Sequence, residues 1–530
     1  MSLAEHPQAV VVSPSAFGTV PHRLLDLRYS SVGRKVVYHL PLLAVLVVQA
    51  ILTLRLSNTA FQDEALYLYA GHREILQFQH GTSTYDNYNS YFSGAPWLYP
   101  VIGAAINEVA GLAGARALSL ALMLGATALV AATTRRLFDR HAALLAAAVF
   151  AVAGSTLFMG RLATYDALAV FLLALSAWIV VVAARRHPAT VLLAAPVVVL
   201  AVACKYASLL YLPTILAMSL LCALRRPPGR SWARWTASLA RPVILLLATV
   251  GLALVVLRLA GTAFLSGLVH TTTARATGTD EITDVLLQSA QYVAGPLAIC
   301  IAGSIRYGRD SSVSAFARWR RKSLGAVWTL TLVIAPLYQA HLHTLTSLHK
   351  HVGFGLIFAA PMTGYALAAL LGRGTRSPQR LGAVLGICTL LAAAGLSQSQ
   401  RRFEDWPTST PLTQVLRTQV RPVTGHYLVE ESEVPRYYLQ DITEPFEWSG
   451  TYVFDYTDHQ GRQLTGPDAY KAAIADRYFD IIALRYGPTA ALDGQIDARL
   501  RAHDGYEEIA SVPADSGYGP GTFTVWRAVR

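Results

Sequence analysis

Charged side chains are scarce in this sequence, at 14% of the residues, while 53% are hydrophobic. Soluble domains carry roughly 25% charge, and a single soluble core stops growing at roughly 250–300 residues. A chain of 530 residues with so little charge needs lipid as part of its solvent, which excludes an ordinary soluble enzyme. Cysteine is also scarce. The four present, Cys204, Cys222, Cys300 and Cys388, all fall in apolar runs, so neither a disulfide framework nor a CxxC metal knuckle is expected. No fixed-period repeat relates the apolar runs, which argues against a solenoid. The first 35 residues are polar and carry Arg23, Arg28, Arg34 and Lys35. They are too long and polar for the head of a signal peptide, and the apolar run behind them reads as a retained helix.

A membrane helix needs about 20 mostly apolar residues. Eleven spans are expected, over 36–56, 116–134, 142–158, 166–184, 189–204, 206–224, 243–260, 286–304, 324–340, 352–371 and 381–396. The run 96–112 is apolar but contains Glu108 and is bounded by Pro96 and glycines, so it is expected to lie in the membrane interface. The expected fold is mainly α: a polytopic helix bundle over 36–396, preceded by a cytoplasmic segment 1–35 and followed by a small extracytoplasmic α/β domain over 397–530.

The net charge of +12 reports topology rather than nucleic acid. With residues 1–35 placed in the cytoplasm, inner segments hold 23 Lys and Arg, outer loops and helix ends hold 8, and the tail holds 13. This is the positive-inside pattern, in contact with anionic lipid heads. Nine of the 13 acids before the tail lie on the outer side, among them Asp63, Glu64, Asp86, Glu108 and Asp166. Charges at helix mouths cost desolvation unless paired, hydrated or used, so chemistry is sought on that face.

Four outer segments qualify. The first loop, 57–95, opens with Asp63 and Glu64 directly after the first span. Asn58 or Thr59 could cap a short helix whose first turn favours acids. Farther on, Tyr85, Tyr88 and Tyr91 alternate with Asp, Asn and Ser, a composition equally suited to a sugar site and to an interfacial aromatic belt. Arg161 and Asp166 bracket the turn between the third and fourth spans, with Asp166 at a helix start. Lys205 stands alone between two apolar runs. A lysine there can snorkel, or it can hold a phosphate. His341 and His343, then His349, Lys350 and His351, precede the tenth span. Two HxH pairs admit a divalent metal, although the intervening Lys350 suits a phosphate pocket better.

Taken in order, these residues resemble a family. An Asp-Glu pair after the first span is similar to the GT-C glycosyltransferases, within them the protein O-mannosyltransferase, aminoarabinose-transferase and RgtA-like group. The turn from Arg161 to Asp166-Ala167-Leu168, Lys205-Tyr206, and His349-Lys350-His351 leading into Phe358-Ala359-Ala360-Pro361 extend the resemblance over roughly 40–371. The histidine-rich loop departs from it and leaves the donor head group open. The resemblance implies a polyprenyl-phosphate sugar donor, a cell-envelope acceptor (glycan, lipid or protein) and an inverting transfer at the outer face of the plasma membrane. It implies Asp63 as the base, with Glu64 and Asp166 in support. Lys205, Lys350, Arg161, His349 and His351 would bind the donor phosphate, and Tyr85, Tyr88 and Tyr91 the sugar or acceptor. The sequence names no cofactor, and a divalent metal is admitted.

The tail holds 19 acids against 13 Lys and Arg. Segments 426–429, 451–454, 479–484 and 522–526 read as strands and 467–477 as a helix. Tyr437, Tyr438 and Trp448 could stack on a sugar or simply pack. A lipid-linked-saccharide transporter or flippase is the rival reading, but the unusual charges gather at one face instead of the midplane. A non-catalytic envelope scaffold would not require them.

Overall fold

The computed structural model describes residues 31–224, 232–274, 277–372, 377–502 and 504–529. Most of the expected inner segment 1–35, and Arg225, Arg226, Arg230, Arg373 and Arg376, expected on the same side, lie outside the described residues.

The membrane part is built from α1 (Ser31–Thr53), α2 (Gln62–His80), α3 (Tyr99–Leu137), α4 (Arg140–Val152), α5 (Gly154–Met159), α6 (Tyr165–Ala183), α7 (Ala194–Cys204), α8 (Leu212–Leu221), α9 (Trp232–Thr271), α10 (Ile282–Gly308), α11 (Ala315–His341), α12 (Leu348–Leu371) and α13 (Pro378–Phe403). Seven described helices are long and apolar enough to cross a membrane, and four shorter apolar segments coincide with the remaining expected spans. Two departures are instructive. The interfacial run and the second span form one element, α3, bent at Gly111, whose φ of 62° only glycine adopts readily. The third span breaks at Ala153 into α4 and α5.

The bundle packs largely through small residues, because lipid offers no hydrophobic drive between helices. At Gly364 of α12 a Cβ would stand 2.2 Å from the carbonyl of Ala142 on α4, so only glycine permits this approach.

The tail adds α14 (Thr410–Gln419), β1 (Tyr427–Val429), α15 (Glu433–Tyr438), β2 (Trp448–Ser449), β3 (Asp455–Thr457), β4 (Gln463–Thr465), α16 (Gly466–Ala475), β5 (Ile481–Leu484), α17 (Ala490–Arg501), β6 (Tyr506–Pro513) and β7 (Thr522–Ala528). The main sheet runs β2-β1-β5-β7-β6. Strands β2, β1 and β5 are parallel, with Leu428 opposite Ile482, while β7 and β6 are antiparallel. All four residues of β5 are buried, as a central strand covered on both faces requires. Ile481 and Ala483 join a core with Leu412 and Leu416 of α14. Ile482 and Leu484 join the opposite core with Ile474 and Ile496.

The expected strand over 451–454 is absent. Thr451 turns inward to bond the Glu430 carbonyl at 3.1 Å, and Phe454 packs on Tyr470 and Phe479. Phe454 serves a side-chain core rather than a ladder, while Tyr452 stays exposed.

Candidate active site

Helix α2 begins at Gln62 with Phe61 extended before it. Neither Asn58 nor Thr59 caps it. Their carbonyls accept instead from Arg116 Nη1 at 2.8 Å and Nη2 at 3.2 Å. The Glu64 carboxylate reaches back to the Phe61 N–H at 3.0 Å. It also accepts from Arg116 Nε at 2.8 Å, Arg116 Nη2 at 2.6 Å and the Ala163 N–H at 2.8 Å. Glu64 is wholly buried and Arg116 nearly so. A carboxylate with four donors has its lone pairs committed, so Glu64 pins α2 to α3 and to the 161–164 turn and has nothing left for a substrate.

Asp63 is one residue earlier, about 100° around the helix, and its side chain is 29% exposed. Its Oδ2 lies 2.6 Å from Lys350 Nζ, near the start of α12. Lys350 Nζ is also 3.8 Å from Asp166 Oδ2. Asp166 Oδ1 in turn accepts from Lys205 Nζ at 2.5 Å, and its Oδ2 from Thr164 Oγ1 at 3.0 Å. Lys205 reaches this point because the chain breaks there. It is extended between α7 and a short 3-10 turn, Tyr206–Tyr211.

The break leaves backbone groups without helical partners, and the loop before α3 satisfies them. The Ala95 N–H bonds the Ala203 carbonyl at 2.7 Å, and the Tyr206 N–H bonds the Ser93 carbonyl at 2.8 Å. Irregular backbone within a membrane bundle is tolerated only where protein or a cavity surrounds it. Lys205 Nζ further sits 4.8 Å from the Tyr165 ring centroid.

The result is an alternating row, Asp63, Lys350, Asp166, Lys205. Asp166 is wholly buried and each lysine is only 3% exposed, so Asp63 is the open end. Buried ion pairs barely repay their desolvation, and ionisable groups in a membrane bundle mark functional sites by default. Two carboxylates balance two ammonium groups. An added anion would therefore compete with Asp63 for Lys350, and a released Asp63 would be free to accept a proton.

The other expected site residues divide. Arg161 does not join the lysines: its Nε bonds the Leu56 carbonyl at 3.1 Å and ties the segment after α1 to the turn. His349 and His351 flank Lys350 but lie on other sides of α12. His349 is packed edge-on against Phe158, and His351 Nδ1 is 2.5 Å from Gln339 Nε2. His343 lies by the Asp280 carbonyl at 3.3 Å. No group of three or more His, Cys, Asp or Glu that could hold a metal occurs among the described residues, so the two HxH pairs do not converge.

Tyr85 and Tyr91 are exposed, but Tyr88 is buried and stacked on Phe92 at 5.3 Å. Its ring belongs to the core of the loop and is not available to a sugar. Tyr437, Tyr438 and Trp448 are likewise committed. The Tyr437 hydroxyl donates to Asn107 Oδ1 at 2.7 Å, the Tyr438 hydroxyl accepts from the Ala60 N–H at 2.7 Å, and Trp448 Nε1 donates to Thr443 at 3.0 Å.

Two arginines escaped the sequence reading as site residues. Arg116 left a signal, a cation on the side where the charge pattern leads one to expect few. Arg436 left none. It bonds Asp86 at 2.5 Å and lies 5.0 Å from the Tyr69 ring, clasping the tail onto the outer loop. Beside this clasp Gln62 Nε2 bonds Glu433 at 3.2 Å. Burial pushes Glu431 up to about 7; Arg485 opposes the shift, and Glu430, Glu433 and Asp63 add to it.

The sequence profile of the family described as dolichyl-phosphate-mannose-protein mannosyltransferase matches residues 94–260, the stretch with Arg116, Asp166 and Lys205. Comparison with curated proteins finds no match. Among solved structures, ArnT from Cupriavidus metallidurans in the apo state is 13% identical. The alignment covers 93% of this chain and 98% of that one, with a TM-score of 0.58. The same protein bound to undecaprenyl phosphate is 14% identical over 94% and 98%, with a TM-score of 0.56. Archaeal oligosaccharyltransferase AglB from Archaeoglobus fulgidus, in complex with an inhibitory peptide and a dolichol-phosphate, is 12% identical over 91% and 74%, with a TM-score of 0.53. The chain shares the fold of these GT-C glycosyltransferases.

Proposed function

We propose that this GT-C-fold membrane protein is a glycosyltransferase that moves a sugar from a polyprenyl phosphate to an acceptor hydroxyl at the outer face of the plasma membrane. The observation that carries the reading is the Asp63–Lys350–Asp166–Lys205 row, open only at Asp63. Its position supports a lipid-borne donor, since the row stands where helices α6 and α12 begin and a bilayer-dissolved tail can reach it. The polyprenyl phosphates named for the ArnT and AglB structures agree with such a donor.

In this reading the donor phosphate takes over Lys350 from Asp63. The acceptor oxygen attacks the anomeric carbon as its proton passes to Asp63. The bond from that carbon to the phosphate oxygen breaks, and the electron pair leaves on the phosphate. Lys350 and, behind it, Lys205 balance the charge that appears there, the type of stabilisation that contributes most in such sites. Asp166 holds both ammonium groups in place. Attack opposite the leaving group inverts the anomeric centre. Tyr85 and Tyr91, exposed on the same loop, are the remaining aromatic surfaces for a sugar. Residues 1–35 face the cytoplasm and 397–530 the outside, the arrangement the basic residues favour. The tail closes over the site through Arg436 and Glu433.

The test is to incubate the purified protein with a panel of polyprenyl-phosphate sugars and score release of polyprenyl phosphate. Release from one donor, dependent on Asp63, is expected. Donors that bind and cross a bilayer intact, with no release from any of them, would instead make the protein a transporter.

A further inference from the structure

A cavity of about 1960 Å³ opens at the opposite end of the bundle, lined by the ends of α3, α4, α10, α12 and α13. Helix α12 runs the whole way, from Lys350 in the site to Leu371 in the cavity wall. At 1.5 Å per residue the two are roughly 30 Å apart, so the cavity is separate from the glycosyl-transfer machinery. It exceeds the roughly 300–1,000 Å³ of pockets that take small soluble ligands.

The lining combines charged, aromatic and apolar side chains. It carries Arg306, Arg309 and Arg321 with Asp139 and Asp310. Both carboxylates are already engaged. Asp310 pairs with Arg321 at 2.7 Å and accepts from the Ser312 N–H. Asp139 accepts from the Ala142 N–H at 3.0 Å and caps α4. Among the described residues neither Arg306 nor Arg309 has an ion pair, and both are exposed. The floor is a cluster of rings. Phe138 stacks on Tyr365 at 4.8 Å, and Tyr307 meets both at 5.2 and 5.1 Å. The Arg321 guanidinium lies 4.7 Å from the Tyr307 ring centroid. The lining also includes apolar side chains that remain exposed, Ile305 on α10 and Leu381 on α13.

Two arginines without an ion pair among the described residues, a cluster of rings and exposed apolar side chains describe a molecule with an anionic head and hydrocarbon tails. We propose that this cavity binds an anionic phospholipid of the leaflet on that side, with its phosphate between Arg306 and Arg309 and its acyl chains along α10 and α13. A helix C-terminus alone favours a cation, but it does not place two free guanidinium groups over a cavity with an apolar wall. A soluble anion would not need that wall.

The test uses the full chain in detergent, titrated with phosphatidylglycerol or phosphatidylcholine and read by native mass spectrometry. Wild type should retain phosphatidylglycerol in preference. The R306Q/R309Q variant should lose that preference by about fivefold per arginine, the effect of one basic residue at an anionic surface. Both side chains are exposed, and R306K/R309K, which keeps the charge, should keep the preference. So should R185Q/R186Q, exposed at the end of α6 and outside the cavity. Equal retention of the two lipids by wild type would overturn the proposal. An unchanged preference in R306Q/R309Q would do so too, as would an equal loss in R185Q/R186Q. Complete displacement by inorganic phosphate would make this a site for a free anion and overturn the lipid assignment.

Discussion

Replacing Asp63 by Asn separates the proposed chemistry from architecture. Asparagine keeps an oxygen that can accept from Lys350 and removes both the charge and the basic site. The stability cost is bounded by the worth of a hydrogen bond to a charged group, roughly 1.5–3 kcal/mol. It should fall below that, because the side chain is 29% exposed and Lys350 retains Asp166 at 3.8 Å. The kinetic cost is different in kind. Loss of a general base lowers turnover by roughly 10²–10⁴, about 3–5 kcal/mol of barrier. The assay is release of polyprenyl phosphate at saturating donor, with donor affinity and a thermal melt measured on the same preparation. Turnover should collapse while donor affinity changes by less than about tenfold. Glu64→Gln supplies the contrast. Its carboxylate is wholly buried on Arg116, and uncoupling a buried pair costs about 3–5 kcal/mol, so that variant should melt early. Wild-type turnover in Asp63→Asn would refute the assignment and move the search to Asp166.

The remaining predictions concern the supports of the site. Lys205→Met should destabilise strongly, since it strands the buried Asp166, and Lys205→Met/Asp166→Leu should recover part of the loss in thermal melts. A double variant no more stable than the single one would show that the pair is not coupled. Lys205→Ala should weaken donor binding more than Lys205→Arg, because charge survives in the latter; equal affinity in wild type and Lys205→Ala would remove Lys205 from the donor site. Arg436→Ala should loosen the tail from the outer loop by freeing Asp86, read as faster proteolysis near residues 404–409; an unchanged cleavage rate would mean the clasp contributes little. Glu431 holds its proton up to about 7 in the folded chain, against an ordinary 4.5. Its stabilising contribution is therefore fully present below pH 4.5 and is lost as pH rises through about 7. That span is on the order of 3 kcal/mol, and Glu431→Gln should flatten it in denaturation curves taken across the window. The same pH dependence in variant and wild type would assign it to another group.

The sequence by itself determined what depends on a residue and its near neighbours. Runs of apolar residues must meet lipid, so the membrane helices were legible from composition, and α6, α10 and α12 stand close to where hydropathy put them. The parallel strands β1 and β5 were legible too, because a strand buried on both faces has to be apolar throughout. Asp63, Asp166, Lys205 and Lys350 stood out because a charge at a helix mouth needs a reason.

Only the tertiary structure decided which charges meet. Lys350 reaches Asp63 across 287 positions, and no local pattern encodes that pairing. Nor could spacing separate Asp63 from Glu64, which are adjacent and chemically alike. The turn of the helix directs one to the open site and the other to Arg116. For Tyr88, Arg161 and the histidines, spacing alone left packing and binding roles undivided for the same reason. An aromatic ring, a guanidinium or an imidazole serves packing and backbone capping as well as it serves a ligand. The choice between those uses is made by what the rest of the fold places within 3 or 4 Å, the range over which such groups act.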